Sequence, residues 1–147
     1  MMCAAFFKRA LMGVALTVAS GAYAELLIED AWVRAVPANA RTTAAYFTVR
    51  NTGEQSQTIV GVSASVAGAA EIHDWVETDG RKKMVRQHRL TVPAGEQVML
   101  KSGGLHMMLF RLDPVPALGD SVQICIESAA DEGRASKVCA DAVVRHP

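Results

Sequence analysis

The chain has 147 residues, of which 50% are hydrophobic and 20% are charged, and its 15 basic and 15 acidic side chains give a formal net charge of zero. That length fits one domain, and the hydrophobic fraction excludes an intrinsically disordered chain, which combines low hydrophobicity with high net charge. The neutral charge and an aromatic content of only 5% argue against a nucleic-acid-binding protein, because such proteins carry basic surfaces or aromatic stacking platforms.

The N-terminus has the three-part pattern of a secretory signal peptide. The basic pair Lys8-Arg9 precedes a short apolar run, residues 10–21, and Ala22-Tyr23-Ala24 supplies a small-x-small cleavage site. The run is shorter than the roughly 20 residues that cross a bilayer. We therefore predict a signal peptide over residues 1–24, with a buried N-terminal helix as the alternative, and a single mature domain over residues 25–147.

Cleavage would change the composition and the net charge of the chain. Loss of Lys8 and Arg9 leaves 13 basic against 15 acidic residues, a net charge of −2, while all four histidines remain. Cys3 precedes the apolar run, so it does not have the position of a lipoprotein cysteine. No later segment is apolar and long enough for a membrane helix. We expect a monomeric periplasmic protein without a membrane anchor.

The mature chain shows the period-two alternation of strands and lacks a convincing helical period. Turn signals such as Asn51-Thr52-Gly53 and Pro93-Ala94-Gly95 separate the apolar runs. Short strands at close spacing predict one all-β domain, a sandwich or a barrel. The predicted strands cover residues 28–36, 44–50, 58–66, 70–77, 82–87, 90–92, 97–101, 105–112, 121–127 and 136–145.

The dipeptide Asp79-Gly80 predicts a first hairpin and its strand register, because Asp-Gly between alternating segments is a strong two-residue turn signal. The register places His73 and Met84 on one face as diagonal neighbours, roughly 7–8 Å apart at the backbone, so both side chains can reach one small ion. The predicted cross-strand pairs are Glu77 with Lys82, Trp75 with Met84, and His73 with Arg86.

A second hairpin joins residues 121–127 to residues 136–145. Pairing Glu127 with Lys137 puts Cys125 opposite Cys139, on the face away from the apolar side chains. A disulfide between them is one interpretation in an oxidising compartment, and two small, partly buried thiols are the other.

A second histidine–methionine pair lies in the predicted strand over residues 105–112. His106 and Met108 are two residues apart, so they point to one face, and the complete spacing is His73-x10-Met84-x21-His106-x-Met108. Thioether sulfur is a soft ligand that suits Cu(I), and imidazole also binds copper. Zinc prefers cysteine, histidine and carboxylates. The pattern therefore predicts a Cu(I) site, although a lone histidine or methionine more often has a structural role.

This spacing resembles the signature of the periplasmic PCu(A)C-type copper chaperones. The similarity extends through residues 30–35, 45–47, 71–73, 92–95 and 103–104, and so covers nearly the whole mature chain. It implies a cupredoxin-like Greek-key β-sandwich or barrel without the blue-copper cysteine ligand. It also implies one principal Cu(I) site at the surface, formed by His73, Met84, His106 and Met108.

The resemblance implies a function and partners as well. Members of the family deliver Cu(I) to the CuA centre of cytochrome c oxidase, directly or together with thioredoxin-like Sco proteins. We therefore expect a non-enzymatic periplasmic copper chaperone whose partners are the oxidase subunit that carries CuA, a Sco-like protein, or both. No nucleophile–base set or paired-carboxylate motif indicates catalysis.

Two departures from the family pattern affect the expected site. The chain stops at His146-Pro147 without the Met/His-rich tail of some members, so we expect one principal site, to which His146 could at most lend a ligand. Asp74 and Trp75 stand where members often carry a methionine beside or near the first histidine. Trp75 either covers the metal and shields Cu(I) from water, or it only packs across from Met84.

Several residues are assigned outside the site. His88 lies in the basic stretch 81–89, which forms either a solvated strand face or a docking patch for an acidic partner beside Met84. The residues assigned to the core or to packing are Met99, Met107, Trp32 and Arg34.

Three other functions compete with copper delivery. A copper buffer or resistance protein would bind the metal without a dedicated acceptor, and sequence alone does not separate it from a chaperone. An electron-transfer cupredoxin needs a cysteine, two histidines and usually an axial methionine, but no methionine follows Cys139. A metal-free adhesion sandwich leaves the four-residue spacing unexplained.

Overall fold

The computed structural model describes residues 26–129 and 135–147, so the predicted signal peptide lies outside the described residues. All ten strands expected from the alternation pattern are present there, with ends that differ by at most three residues. The strands are β1 (Leu26–Arg34), β2 (Thr42–Asn51), β3 (Gln57–Ala64), β4 (Ala67–Thr78), β5 (Arg81–Arg86), β6 (Leu90–Val92), β7 (Gln97–Leu100), β8 (His106–Leu112), β9 (Ser121–Ala129) and β10 (Ser136–Arg145).

The strands form one hydrogen-bonded sheet in the order β5-β4-β8-β2-β1-β10-β9-β3-β6, and β7 pairs with β2. β1 and β10 run parallel, and the other pairs are antiparallel. The last strand in this order, β6, lies next to β2. The Asn51 side-chain amide of β2 donates a hydrogen bond of 3.0 Å to the carbonyl oxygen of Val92 in β6. These connections bear out the predicted cupredoxin-like Greek-key sandwich or barrel.

The core forms where the two halves of the sheet face each other. Inward side chains from both halves are fully buried, as the alternation predicts. Burying each of the larger ones stabilises the fold by about 1.5–3 kcal/mol relative to exposure. The central members are Val33, Ala45, Phe47, Val49, Ile59, Ile72, Met107, Leu109, Val122, Ile124, Ile126, Ala142 and Val144.

The two methionines assigned to the core have different positions. Met107 is 0% exposed, which confirms its assignment, but Met99 is 52% exposed, so its assignment is wrong. The reason is the side-chain parity of β7: Val98 and Leu100 point inward, so Met99 between them points to solvent. A four-residue strand offers too short an alternation to settle that parity from sequence.

Both predicted hairpins have the expected register. In the first, Glu77 pairs with Lys82, Trp75 with Met84, and His73 with Arg86. Its turn residues Asp79 and Gly80 have φ values of 52° and 71°, as a type I′ turn requires.

In the second hairpin Glu127 pairs with Lys137 and Cys125 with Cys139. The two cysteines form a disulfide, which is one of the two states left open by the sequence. In the described ranges no helix is long and apolar enough to cross a membrane.

Candidate metal site

Three adjacent strands bring the four predicted ligands onto one face of the sheet. β4 lies between β5 and β8, and it carries His73 in the middle. His73 pairs directly with His106 of β8. Met84 lies opposite Trp75 and Met108 opposite Glu71, so each methionine is a diagonal neighbour of His73, one on either side. The structure therefore places together the four residues that the spacing singled out.

The two imidazole rings lie side by side at the centre of this face. The ring centroids of His73 and His106 are 6.2 Å apart, and the ring planes are inclined by 41°. The two rings therefore lie close together on this face, with one diagonal methionine on either side of His73.

Hydrogen bonds decide which ring nitrogens are free to bind a metal. Nε2 of His73 lies 2.9 Å from a carboxylate oxygen of Glu71, and Nδ1 of His106 lies 2.7 Å from the carbonyl oxygen of Gly104. Both oxygens only accept, so each of these nitrogens carries the proton and donates. The lone pairs that remain are on Nδ1 of His73 and Nε2 of His106. A histidine ligand typically donates its other N–H to a carboxylate or carbonyl in this way.

Nδ1 of His73 is a buried side-chain nitrogen without a hydrogen-bond partner. Leaving a buried polar atom unpaired costs free energy, so such an atom needs an explanation. Coordination of a metal ion would satisfy its lone pair. This orphaned nitrogen is the observation that best fits the ligand set predicted from sequence.

Glu71 holds His73 and a neighbouring cation at the same time. One of its oxygens accepts from His73, and the other lies 2.8 Å from Nη1 of Arg86. The hydrogen bond from His73 is the main cause that lowers the pKa of Glu71, burial opposes it, and the positive charge of Arg86 lowers the pKa further. The carboxylate therefore remains ionised and keeps accepting from His73.

Exposure of the four side chains increases from the base of the site to its rim. His106 is 4% exposed and Met84 is 41% exposed, while His73 and Met108 are half-buried. The site opens into a cavity of about 370 Å³, whose wall includes Met84, His106 and Met108. An incoming group could therefore reach Met84 first and His106 last.

Trp75 lies beside two of the four predicted ligands. It pairs across the strands with Met84, and its ring stacks near His106 with centroids 6.4 Å apart and planes inclined by 29°. The predicted cross-strand pairing of Trp75 with Met84 is therefore confirmed. Shielding of a bound ion stays a prediction.

Sequence reasoning missed the supporting residues Glu71 and Gly104. The signal for Glu71 was its position two residues before His73, because period two puts both on one face. The carbonyl of Gly104 had no such signal, since it depends on the conformation of the loop before β8. That loop has a second anchor, a hydrogen bond of 3.1 Å from Arg34 to Ser102.

The packing assignments of Trp32 and Arg34 are confirmed. Trp32 packs on Tyr46 with ring centroids 4.5 Å apart, and the Arg34 guanidinium lies 5.7 Å from the Tyr46 ring centroid. These contacts extend along the same face of the sheet from the site, since Arg34 also lines its cavity.

The other two histidines are not brought to this face. His88 is exposed just after β5, in a cavity wall with residues of β3, and His146 is exposed after β10. Among residues 26–129 and 135–147, no group of three histidine, cysteine, aspartate or glutamate side chains is placed to hold a metal ion.

A family model matches most of the chain. Residues 26–138 match the family described as "Putative lipoprotein LpqE-like". The chain is 31% identical over 100 residues to "Putative lipoprotein Lxx21020" of Leifsonia xyli, covering 67% of this chain and 59% of that protein. It is 34% identical over 120 residues to "Uncharacterized protein RP573" of Rickettsia prowazekii, covering 73% of this chain and 65% of that protein. The chain thus spans less than two thirds of either relative.

Solved structures share the fold. The copper-bound PCuAC domain from PmoF2 is 21% identical, with a TM-score of 0.67, over 86% of this chain and 97% of that domain. Apo-DR1885 from Deinococcus radiodurans is 27% identical, with a TM-score of 0.60, over 99% and 96%. CuI-DR1885 is 29% identical, with a TM-score of 0.58, over 85% and 81%.

The family match and the shared fold agree with the resemblance drawn from the spacing of histidines and methionines. The chain therefore belongs to the LpqE-like family, which is of the PCuAC type.

Proposed function

We propose that this protein is a periplasmic chaperone that binds one Cu(I) ion through His73, Met84, His106 and Met108. The observation that carries the proposal is the buried, unpartnered Nδ1 of His73, which lies on the same face as a second imidazole and two thioethers. Two neutral nitrogen and two neutral sulfur ligands suit the soft, singly charged Cu(I) ion. Two solved structures of the same fold support this proposal, since one is a copper-bound PCuAC domain and the other is a Cu(I)-bound protein.

The graded exposure of the ligands suits release to an acceptor. Cu(I) is stable with two or three ligands, so an acceptor could displace one ligand at a time. Met84 at the rim would be displaced first, because it is 41% exposed, and the buried His106 would be displaced last. The acceptor we propose is the CuA-carrying subunit of cytochrome c oxidase, directly or through a Sco-like protein. Transfer by ligand exchange requires no enzymatic step.

The disulfide argues against an electron-transfer cupredoxin. A blue-copper site needs a cysteine thiolate together with two histidines. Both described cysteines, Cys125 and Cys139, are bonded to each other. An intense blue colour on addition of Cu(II) would favour that alternative over the chaperone.

Variants with matched controls test the ligand set. We expect Met108→Ala and His106→Ala to weaken Cu(I) binding strongly, measured by competition with a chromogenic chelator. Met99→Ala and His88→Ala are the controls, because both residues are exposed and lie outside the site. Unchanged Cu(I) affinity in both ligand variants would contradict the proposal.

X-ray absorption of the Cu(I)-loaded protein tests the ligand atoms directly. We expect mixed copper–nitrogen and copper–sulfur scattering, and loss of sulfur scattering when Met84 and Met108 are both replaced by leucine. Scattering from nitrogen alone in the unmodified protein would exclude methionine ligation.

Deletion of the gene separates delivery from buffering, since only delivery predicts loss of oxidase activity at ordinary copper supply.

A further inference from the structure

The strand that carries Met84 has an open edge. β5 is the first strand in the sheet order, and β4 is its one partner within the described part of the chain. All six of its residues, Arg81–Arg86, are exposed. A proposed metal ligand therefore sits on a strand that can still accept another strand.

The hairpin geometry shows which backbone groups face that edge. In a two-residue hairpin the pair next to the turn, here Thr78 and Arg81, exchanges hydrogen bonds, and bonded pairs then alternate with non-bonded ones. The hydrogen bond of 2.8 Å from Gln87 N–H to the carbonyl of Ile72 keeps the same alternation. The N–H and C=O groups of Lys82, Met84 and Arg86 therefore point to the open edge.

The same edge is positively charged and partly apolar. β5 has the sequence RKKMVR, with four cations and no carboxylate, and in the described residues only Arg86 of these four has an ion pair. Exposed Trp75, Val76, Met84 and Val85 add apolar surface to the hairpin. Like charges oppose pairing of two β5 edges with each other, whereas an acidic strand would be attracted.

We propose that β5 binds an extended acidic segment of the copper acceptor as an additional strand, an inference that rests on the proposed function. Backbone hydrogen bonds to Lys82, Met84 and Arg86 would give the segment its position, as in other strand-addition complexes. The cations would select an acidic segment. Pairing next to Met84 would bring the acceptor to the most exposed of the four proposed ligands.

Two charge-reversal variants test whether the cations of β5 attract the acidic segment. The probe is the soluble CuA domain of the oxidase in its apo form, mixed with the Cu(I)-loaded protein, and the rate of copper transfer is measured by timed separation. Lys83→Glu should slow transfer about 10-fold at low salt, because steering by charge changes association rates by that order. The control Lys137→Glu reverses a charge on β10, which four strands separate from β5 in the sheet order, and should leave the rate nearly unchanged.

A backbone pair tests strand addition itself. Lys82→Gln and Lys82→Pro both remove the charge, but only proline also removes the outward N–H, at an edge position where proline is tolerated. We expect copper transfer from Lys82→Pro to be about 2- to 10-fold slower than from Lys82→Gln, because the net free energy of one hydrogen bond corresponds to a change of that size. Hydrogen exchange on the unmodified protein gives a readout without any variant: the amides of Lys82, Met84 and Arg86 should gain protection when the CuA domain is added.

The outcomes separate this inference from the proposed function. Equal transfer rates in all variants, without new protection in β5, would overturn docking on β5 and leave delivery intact. A second result would overturn strand addition alone. In that case Lys83→Glu slows copper transfer, but the amides of β5 gain no protection from hydrogen exchange, and Lys82→Pro transfers copper as fast as Lys82→Gln. Protection by anionic lipid vesicles in place of the CuA domain would assign β5 to a membrane surface and overturn it too. If the protein binds Cu(I) but transfers none to the CuA domain, this result would contradict the proposed delivery. It would also contradict docking on β5, which depends on delivery.

Discussion

Glu71 accepts a hydrogen bond from Nε2 of His73 at 2.9 Å, and this bond leaves the buried Nδ1 of the same ring as a free lone pair. The two residues lie two positions apart on β4, so the strand itself builds the pair. The carboxylate fixes both the tautomer and the orientation of the ring. Because Glu71 also binds Arg86 at 2.8 Å, its own position is held from the neighbouring strand β5.

Replacement of Glu71 should therefore weaken copper binding although Glu71 is not a proposed ligand. Residues that orient a ligand typically change metal affinity by about 10- to 100-fold when mutated. We expect Glu71→Ala to lower Cu(I) affinity within that range, and Glu71→Gln to lower it less, since an amide oxygen still accepts from His73. Chelator competition measures both affinities. The matched control is Glu77→Ala, an exposed carboxylate on the same strand, and an equal loss in that variant would contradict the orienting role.

The adjacent methionines of β8 should separate stability from binding. Met107 is 0% exposed and packs in the core, whereas Met108 lies on the site face. Truncation of a buried methionine to alanine costs about 2–5 kcal/mol. We therefore expect Met107→Ala to lower the free energy of unfolding by that amount in urea titrations and to retain Cu(I) binding while folded.

Met108→Ala should show the opposite behaviour, with weak Cu(I) binding and a smaller loss of stability. Met99→Ala serves as the control for both, because its exposed side chain predicts a change within about 0.5 kcal/mol. A large loss of stability in Met99→Ala would mean that β7 has the opposite side-chain parity.

Local features of the site could be predicted from the sequence because they depend on short spacings. The Asp79-Gly80 turn determines the register of β4 and β5, and period two determines that His106 and Met108 share a face. The direct pairing of His73 with His106 could not be derived in this way, since 32 residues separate them and several sheet orders satisfy the same alternation. The resemblance to a known family implied that the two histidines share one site, but not that they pair directly.

What the sequence did not reveal depends on tertiary structure. The carbonyl of Gly104 orients His106 only because the loop after β7 folds back, with Gly104 N–H donating to the carbonyl of Lys101. The burial of Met107 followed from a long alternating strand. The exposure of Met99 did not, because β7 has four residues and either parity leaves apolar side chains on both faces.

The disulfide should stabilise the fold without affecting the metal site. It closes a loop with a sequence separation of 14, for which the loss of unfolded-state entropy predicts about 3 kcal/mol of stability. We expect the double variant Cys125→Ala/Cys139→Ala to unfold at a correspondingly lower urea concentration. Its Cu(I) affinity should match that of the unmodified protein, because β9 and β10 do not contribute to the site face. A parallel loss of affinity would show that the site depends on this hairpin.

Trp75 should protect bound Cu(I) from oxidation. Trp75 pairs across the strands with Met84 and its ring stacks near His106, so we expect the ring to shield an ion bound between these ligands. We expect Trp75→Leu to keep most of the Cu(I) affinity but to lose Cu(I) to Cu(II) several-fold faster in air, measured by the appearance of the Cu(II) paramagnetic resonance signal. Trp32→Leu is the control, since Trp32 packs on Tyr46 and Arg145. Equal oxidation rates in the unmodified protein and Trp75→Leu would limit Trp75 to packing against Met84.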